Sequence, residues 1–286
     1  MKIKVTNLYN DITPTNSEFK SNHGQAFLID TPDIKLLFDT GKSGKIFLHN
    51  MTKLAINPDD IGVIVLSHGH NDHTGGLFNL LKARTIKKQI LLIAHPDIFL
   101  PKGKFQSEKK TTIKNIGFSK IPEKSKNILN FHLTKEPFEI TPYVISLGEI
   151  NNRPFKEGIS KSFVYNLNGK WLPDKIIDDL SLIIKTKNGL VLLCGCCHAG
   201  LLNTLLKVES LFPGIKINSI IGGTHMFQFS VEEVDFVARR LKEKYFSPKL
   251  FLNHCTGNNT MDQLSEIYNN ILVERCLIGN SLTFEC

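Results

Sequence analysis

The 286-residue chain is 41% hydrophobic and 22% charged, an ordinary balance for a soluble globular protein with a sizeable core. No apolar run reaches membrane-spanning length, and Met1-Lys2-Ile3-Lys4-Val5 lacks a signal-peptide core, so a membrane role is not expected. Six cysteines, three of them crowded at Cys194, Cys196 and Cys197, make a poor disulfide framework and point to a cytoplasmic, reducing home. The net charge of +8 is localised: Lys82 to Lys126 holds twelve basic residues against three acidic ones, which leaves the rest of the chain near −1. That segment carries three phenylalanines and a single arginine, which argues against a nucleic-acid partner. It reads either as a solvated face or as a basic lid, spanning about residues 100–126, that attracts an anionic small molecule.

Lys2 to Leu8, Ala26 to Ile29 and Ile34 to Phe38 alternate or run apolar and read as strands, the last two joined by Asp30-Thr31-Pro32-Asp33. Lys45 to Leu54 follows as a short amphipathic helix, and Asn57-Pro58 marks a helical turn with Asn as cap and Pro at the first position. Val63 to Leu66 has the β-branched content of a strand buried on both faces. It breaks into a polar turn carrying His68, His70, Asp72 and His73, then Gly75-Gly76 and a helix from Leu77. Three imidazoles and a carboxylate so close together are poor core material. Their spacing suits metal binding, with His68 and His70 on one ion and Asp72 and His73 on a second.

Gln89 to Ala94 is a buried strand ending at His95, which reads as structural. The basic segment then has no clear period, and Ile128 to Leu133, Phe138 to Ile140 and Tyr143 to Ser146 resume a β meander. Gly148 to Pro173 reads as irregular. Leu182 to Thr186 and Leu190 to Leu193 flank Asn188-Gly189 as a hairpin. The second of these strands enters Cys194-Gly-Cys-Cys-His-Ala-Gly200 and a helix from Leu201, much as the first metal turn leads into its own helix. Ile217 to Ile221 ends at Gly222-Gly-Thr-His225, and Ser230 with Glu233 forms a capping box for the next helix. Leu250 to Leu252 ends at His254, before a last helix near Asp262 to Asn269 and terminal strands.

His68-x-His70-x-Asp72-His73 after a Val/Ile/Leu strand resembles the signature of the metallo-β-lactamase superfamily. Leu37-Phe-Asp-Thr-Gly41, Gly195-Cys-Cys-His-Ala-Gly200, Gly222-Gly-Thr-His225 and His254-Cys-Thr-Gly257 extend the likeness across nearly the whole chain. Together they are similar to the branch that includes the dihydropterin–ribofuranosylaminobenzene phosphate synthases of methanopterin biosynthesis. The resemblance implies one four-layer αββα sandwich over residues 1–286 with a basic insertion. It implies one or two divalent transition metal ions, zinc foremost, with iron or manganese compatible with such donors.

His198 and His254 are the expected further ligands of the first and second ion. Asp39 is expected to steady the metal turn from beneath, as that carboxylate does in the superfamily. The position where the superfamily places a bridging Asp holds Cys196, so Cys196 or Asp179 is the candidate bridge. Asp72 is also the candidate catalytic residue, and His225 and His23 are candidates for substrate contact or for support of the ligands. The leading expectation is a metal-dependent hydrolase that turns a metal-bound hydroxide on a small anionic ester, lactone, amide or phosphoester. A pterin-linked condensing or transferase activity is the alternative, and a nuclease a third.

Overall fold

The computed structural model describes residues 1–86, 88–106, 112–119, 121–268 and 272–286. Alternation and apolar runs in the sequence become two seven-stranded sheets. The first runs in the order Ser281–Glu285, Lys2–Tyr9, Ala26–Asp30, Lys35–Phe38, Ile61–Val65, Ile90–Ala94, Leu129–Leu133. The second runs Val273–Arg275, Lys249–Leu252, Ile217–Gly222, Gly189–Cys194, Ser181–Thr186, Val144–Ser146, Phe138–Glu139. In each sheet the antiparallel strands lie toward one edge and the parallel ones run to the other: Lys35–Phe38, Ile61–Val65, Ile90–Ala94 and Leu129–Leu133 in the first, Gly189–Cys194, Ile217–Gly222, Lys249–Leu252 and Val273–Arg275 in the second.

Three apolar clusters make four layers. Between the sheets, Phe27, Phe38, Val63 and Val65 of the first meet Leu182, Val191, Leu193 and Ile221 of the second. Outside the first sheet, helices Gly44–Lys53 and Leu77–Ala83 bury Phe47, Met51, Leu77 and Leu80. Outside the second, Leu201–Leu211, Val231–Glu243 and Asn258–Tyr268 bury Leu205, Val237, Leu241 and Leu264. The αββα sandwich expected from the sequence is present. Ser230 and Glu233 form the expected reciprocal capping box, and Asn57 caps the one-turn helix that begins at Pro58. Among the described residues no helix is long and apolar enough to cross a membrane.

Two stretches differ from expectation. Gly148 to Pro173 is not irregular throughout, and the basic segment is not an unstructured lid. Lys102–Phe105 and Ile113–Asn115 pair with each other, and Lys102–Phe105 also pairs with Phe163–Leu167, which continues into Lys170–Pro173. The result is a third, four-stranded sheet. Lys-Gly-Lys-Phe carries little strand propensity of its own, and its partner lies about sixty residues away in the chain, so only tertiary pairing makes it a strand. Lys87, Lys109, Lys110, Lys120 and Asn269 lie outside the described residues, as do the side chains of Lys124 and Lys126.

Leu193 is fully buried between the sheets. Leu193→Ala should therefore cost about 2–5 kcal/mol in urea-induced unfolding, with little change in the slope against denaturant.

Candidate metal centre

Parallel strands of both sheets end at the same edge of the sandwich, and each leads into a turn of titratable residues. From the first sheet come His68, His70, Asp72 and His73. From the second come Cys196 to His198 after Gly189–Cys194, His225 after Ile217–Gly222, and His254 with Cys255 after Lys249–Leu252. His68, His73 and His198 are fully buried, and His70 and His254 nearly so.

The imidazoles are held from outside. His73 Nδ1 donates to Asp39 Oδ2 at 2.6 Å, His254 Nδ1 to Asp11 Oδ1 at 2.8 Å, and His198 Nδ1 to the Gly158 carbonyl at 2.8 Å. Ser67 gives its hydroxyl proton to Asp39 Oδ2, so its oxygen accepts from His68 Nδ1 at 2.9 Å. With Nδ1 protonated in these four rings, their bare Nε2 lone pairs turn inward, where His70 presents its Nδ1. They converge: His68 Nε2 lies 3.0 Å from His70 Nδ1, and His73 Nε2 lies 3.3 Å from His254 Nε2 and 3.0 Å from Cys196 Sγ. Nε2 of His70 and Nε2 of His198 are buried with no hydrogen-bond partner.

Converging lone pairs and orphaned buried nitrogens fit a cation and little else. Donor atoms within 4.8 Å of one another group as His68–His70–His198, His68–His73–Cys196 and Asp72–His73–His254. The first and last are the two sets expected from the sequence, and the middle one links them through Cys196. Asp179 joins no such group among the described residues. One of its oxygens accepts the Ala199 N–H at 2.8 Å while the other is buried without a partner. Of the two candidate bridges, Cys196 is the one that joins the donor groups, with its Sγ 3.0 Å from His73 Nε2.

The other singled-out residues fall around this nucleus. Asp72 Oδ2 lies 3.1 Å from His23 Nε2 and 3.6 Å from His254 Nε2, and His23 Nδ1 lies 3.2 Å from Asp11 Oδ2. His225 packs against the His198 ring at 4.2 Å between centroids and lines the cleft. His95 is not near the donors in hydrogen-bonding terms: its Nδ1 accepts the Asp97 N–H and its Nε2 meets Glu149, as a structural cap. Asp178 supports the metal turn by accepting the Gly69 N–H at 2.8 Å and pairing with Lys102 at 2.7 Å.

Lys102 is 2% exposed and clasped between Asp174 and Asp178, so it is a strut under the turn and no part of an anion-attracting lid. Lys42, Lys104 and Lys114, by contrast, line the cleft of about 480 Å³ above the donors, together with Phe163 and Phe227. Sequence reasoning missed Asp11, Ser67, Lys102 and Phe163. Only the spacing of Asp11 before His23 could have hinted at a role, since their pairing with distant residues has no local signature.

Electrostatics and backbone bear the mark of a site built for charge. Burial drives the pKa of His70 down to about 4 and, helped by His254, that of His225 down to about 3. Burial also pushes Asp179 up to about 7 and holds the Cys196 thiol well above its ordinary value. Asp11, although burial opposes it, is held well below the usual carboxylate range by His23 and His254. Hydrogen bonds that His23 donates to the Asp11 and Asp72 carboxylates raise its pKa to about 9. Asp39, Cys197, His225 and His254 adopt positive φ between 46° and 65°, a strained region for residues with side chains, which clusters where function over-determines the backbone. At Gly24 a Cβ would come within 2.1 Å of the Asp72 carbonyl, so only glycine lets this loop press against the metal turn.

The description "metallo-beta-lactamase superfamily" fits a family model that matches residues 22–144. Over 99% of the chain and 97% of the relative, the sequence is 32% identical to a Methanocaldococcus jannaschii protein named 7,8-dihydropterin-6-methyl-4-(β-D-ribofuranosyl)-aminobenzene-5'-phosphate synthase. The chain belongs to the metallo-β-lactamase superfamily. Among solved structures it is similar to a metal-dependent hydrolase of the β-lactamase superfamily, with a TM-score of 0.81, 26% identity and 98% of both chains covered. A metallo-β-lactamase-fold protein from Bacillus subtilis, with a TM-score of 0.56 and 14% identity over 99% of this chain and 100% of that one, shares the fold. In this superfamily member the two half-sandwiches meet at the donor turns described above.

Two outcomes are expected. Cys196→Ser should lower the affinity for the second metal equivalent by roughly 10–100-fold, whereas Asp179→Asn should leave metal stoichiometry unchanged, both read by titration with metal analysis. In the metal-free protein, the folded-state pKa values of His70 and His225 lie below the ordinary 6.5. Their contribution to stability is therefore present above pH 6.5 and is lost as the pH falls through about 4 and about 3. His225→Gln should flatten part of that decline in denaturation midpoints measured after chelation.

Proposed function

We propose that the protein is a metal-dependent hydrolase of a small anionic substrate. The observation that carries this reading is the placement of three lysines and two phenylalanines on the walls of the cleft whose floor holds the donor turns. Imidazole and thiol donors suit zinc as the resident ion, with His68, His70 and His198 holding one ion and Asp72, His73 and His254 a second, and Cys196 between them. Divalent ions bound there supply Lewis-acid polarisation and a nucleophile at neutral pH.

The protein's own residues do the rest. Lys104 and Lys114 sit on the small sheet at the cleft wall, and Lys42 faces them from the loop after Thr40; an anionic group entering between them is oriented by charge. Lys104 Nζ also stands 5.8 Å from the centroid of the Phe163 ring. Phe163 packs edge-on to His70 at 5.1 Å, and Phe227 lies 5.1 Å from His225, so two aromatic walls restrict water around the bound substrate. His225, kept neutral by burial, presents a hydrogen-bonding imidazole without a competing charge. Asp72 ties His23 to His254 through one oxygen and fixes the floor of the cleft. All six cysteines are free thiols, which suits a reducing cytoplasm.

A second reading, a pterin-linked synthase, is favoured by the 32% identity that runs along the whole chain to the relative of that name. Metal-loaded protein offered a panel of phosphoesters, lactones and amides should turn over at least one anionic member, and chelation should abolish the activity. Formation of the relative's named product, with no hydrolysis in the panel, would favour the synthase. Lys104→Ala together with Lys114→Ala should raise KM by roughly tenfold at low salt with kcat little changed, and the difference should shrink as salt is added.

A further inference from the structure

We propose that Cys255 is a metal-donating thiolate that works as a pair with Cys196, making the second metal position selective for a soft divalent cation. The proposal rests on the metal-dependent reading above and sharpens it.

Cys196 Sγ, Cys255 Sγ and one imidazole nitrogen of His254 all lie within 4.8 Å of one another. Donors that share one tetrahedral ion stand roughly 3.3–3.8 Å apart, so a modest closure brings the three onto a single cation. His254 commits Nδ1 to Asp11 and leaves Nε2 for the cleft. The five buried cysteines divide sharply. Cys194, Cys197 and Cys276 belong to the apolar clusters of the sandwich, as inert buried thiols do. Cys196 and Cys255 belong to none of those clusters and line the cleft beside His254.

Room for the Cys255 sulfur is specific to this backbone. A Cβ on Gly223 would come within 2.5 Å of it, so the bare Gly222-Gly223 turn forms the cradle in which the thiol sits. Its Sγ donates a long hydrogen bond, 3.5 Å, to the Cys196 carbonyl, which places the thiol beside the residue that carries the other proposed donor.

The chemistry is ligation without redox change: each thiol gives its proton to the buffer as its sulfur–metal bond forms. Asp72, His73 and His254 alone make a donor set open to manganese or iron as well as zinc. Cys196 and Cys255 taken with His254 make instead a set of two thiolates and one imidazole, which shifts the preference toward zinc, cobalt or cadmium and away from manganese.

The test is cobalt(II) loading of the full chain, read by thiolate-to-cobalt charge transfer in the near ultraviolet. Cys255→Ser and Cys196→Ser are each expected to lose about half the band, and the double variant all of it. Zinc-over-manganese preference in competition should fall at least tenfold in Cys255→Ser. Cys255→Ala serves as a second variant, and the circular dichroism of each metal-free variant checks its fold. A folded Cys255→Ser or Cys255→Ala protein that keeps the full band and the full preference would overturn the proposal while leaving the metal centre standing. Failure of the unmodified protein to take up any cobalt would overturn the metal-dependent reading itself.

Discussion

The buried carboxylate of Asp39 is the contact on which the rest of the centre depends. It accepts the backbone N–H of Ser67 at 2.8 Å, the Ser67 hydroxyl at 2.8 Å and His73 Nδ1–H at 2.6 Å. Asp39 sits at the end of strand Lys35–Phe38, fully buried and with positive φ. A charge in that position is tolerable only because every hydrogen bond it needs is supplied locally. In return it fixes the tautomers of two metal-facing imidazoles, His73 directly and His68 through Ser67. The geometry of the first donor turn is thereby set from the strand next to it.

A similar logic repeats at His254 and His198, each with a different partner. Asp11 orients His254, the Gly158 carbonyl orients His198, and Asp178 grips the Gly69 amide while Lys102 neutralises it. Asp11 comes from the loop between Lys2–Tyr9 and Ala26–Asp30, Gly158 from the stretch before Phe163–Leu167, Asp178 from the turn before Ser181–Thr186, and Lys102 from the small sheet. The third sheet thus has two duties. Lys102 braces the metal turn from below, while Lys104 and Lys114 stand at the cleft wall. Strand alternation alone would put Lys102 and Lys104 on one face; the division comes from Asp174 and Asp178, which draw the Lys102 ammonium inward at the start of the strand.

Strain at Asp39, Cys197, His225 and His254 is maintained by the packing of the two sheets behind these residues. Each left-handed residue costs on the order of 1–3 kcal/mol, a sum that a fold this size sustains only with a well-packed core. The dense apolar layer between the sheets and the strained polar edge are two sides of one arrangement.

The sequence by itself determined the sandwich and the first donor turn. Val63 to Leu66 followed by His68, His70, Asp72 and His73 is a local signal, because strand periodicity and ligand spacing both operate within a few residues. Capping at Asn57 and Ser230 was legible for the same reason. What only the tertiary structure decided were pairings between distant residues. Cys196 rather than Asp179 meets the first-half histidines because strands of opposite sheets end at one edge, which no spacing encodes. Lys102 became a buried strut, and the segment around it a sheet, because Phe163–Leu167 lies alongside. Asp11 gained its role from a partner more than two hundred residues away, and Ser67 from Asp39 at the end of the neighbouring strand. Local sequence carries propensity and donor type; which lone pairs converge is fixed only when the two sheets pack.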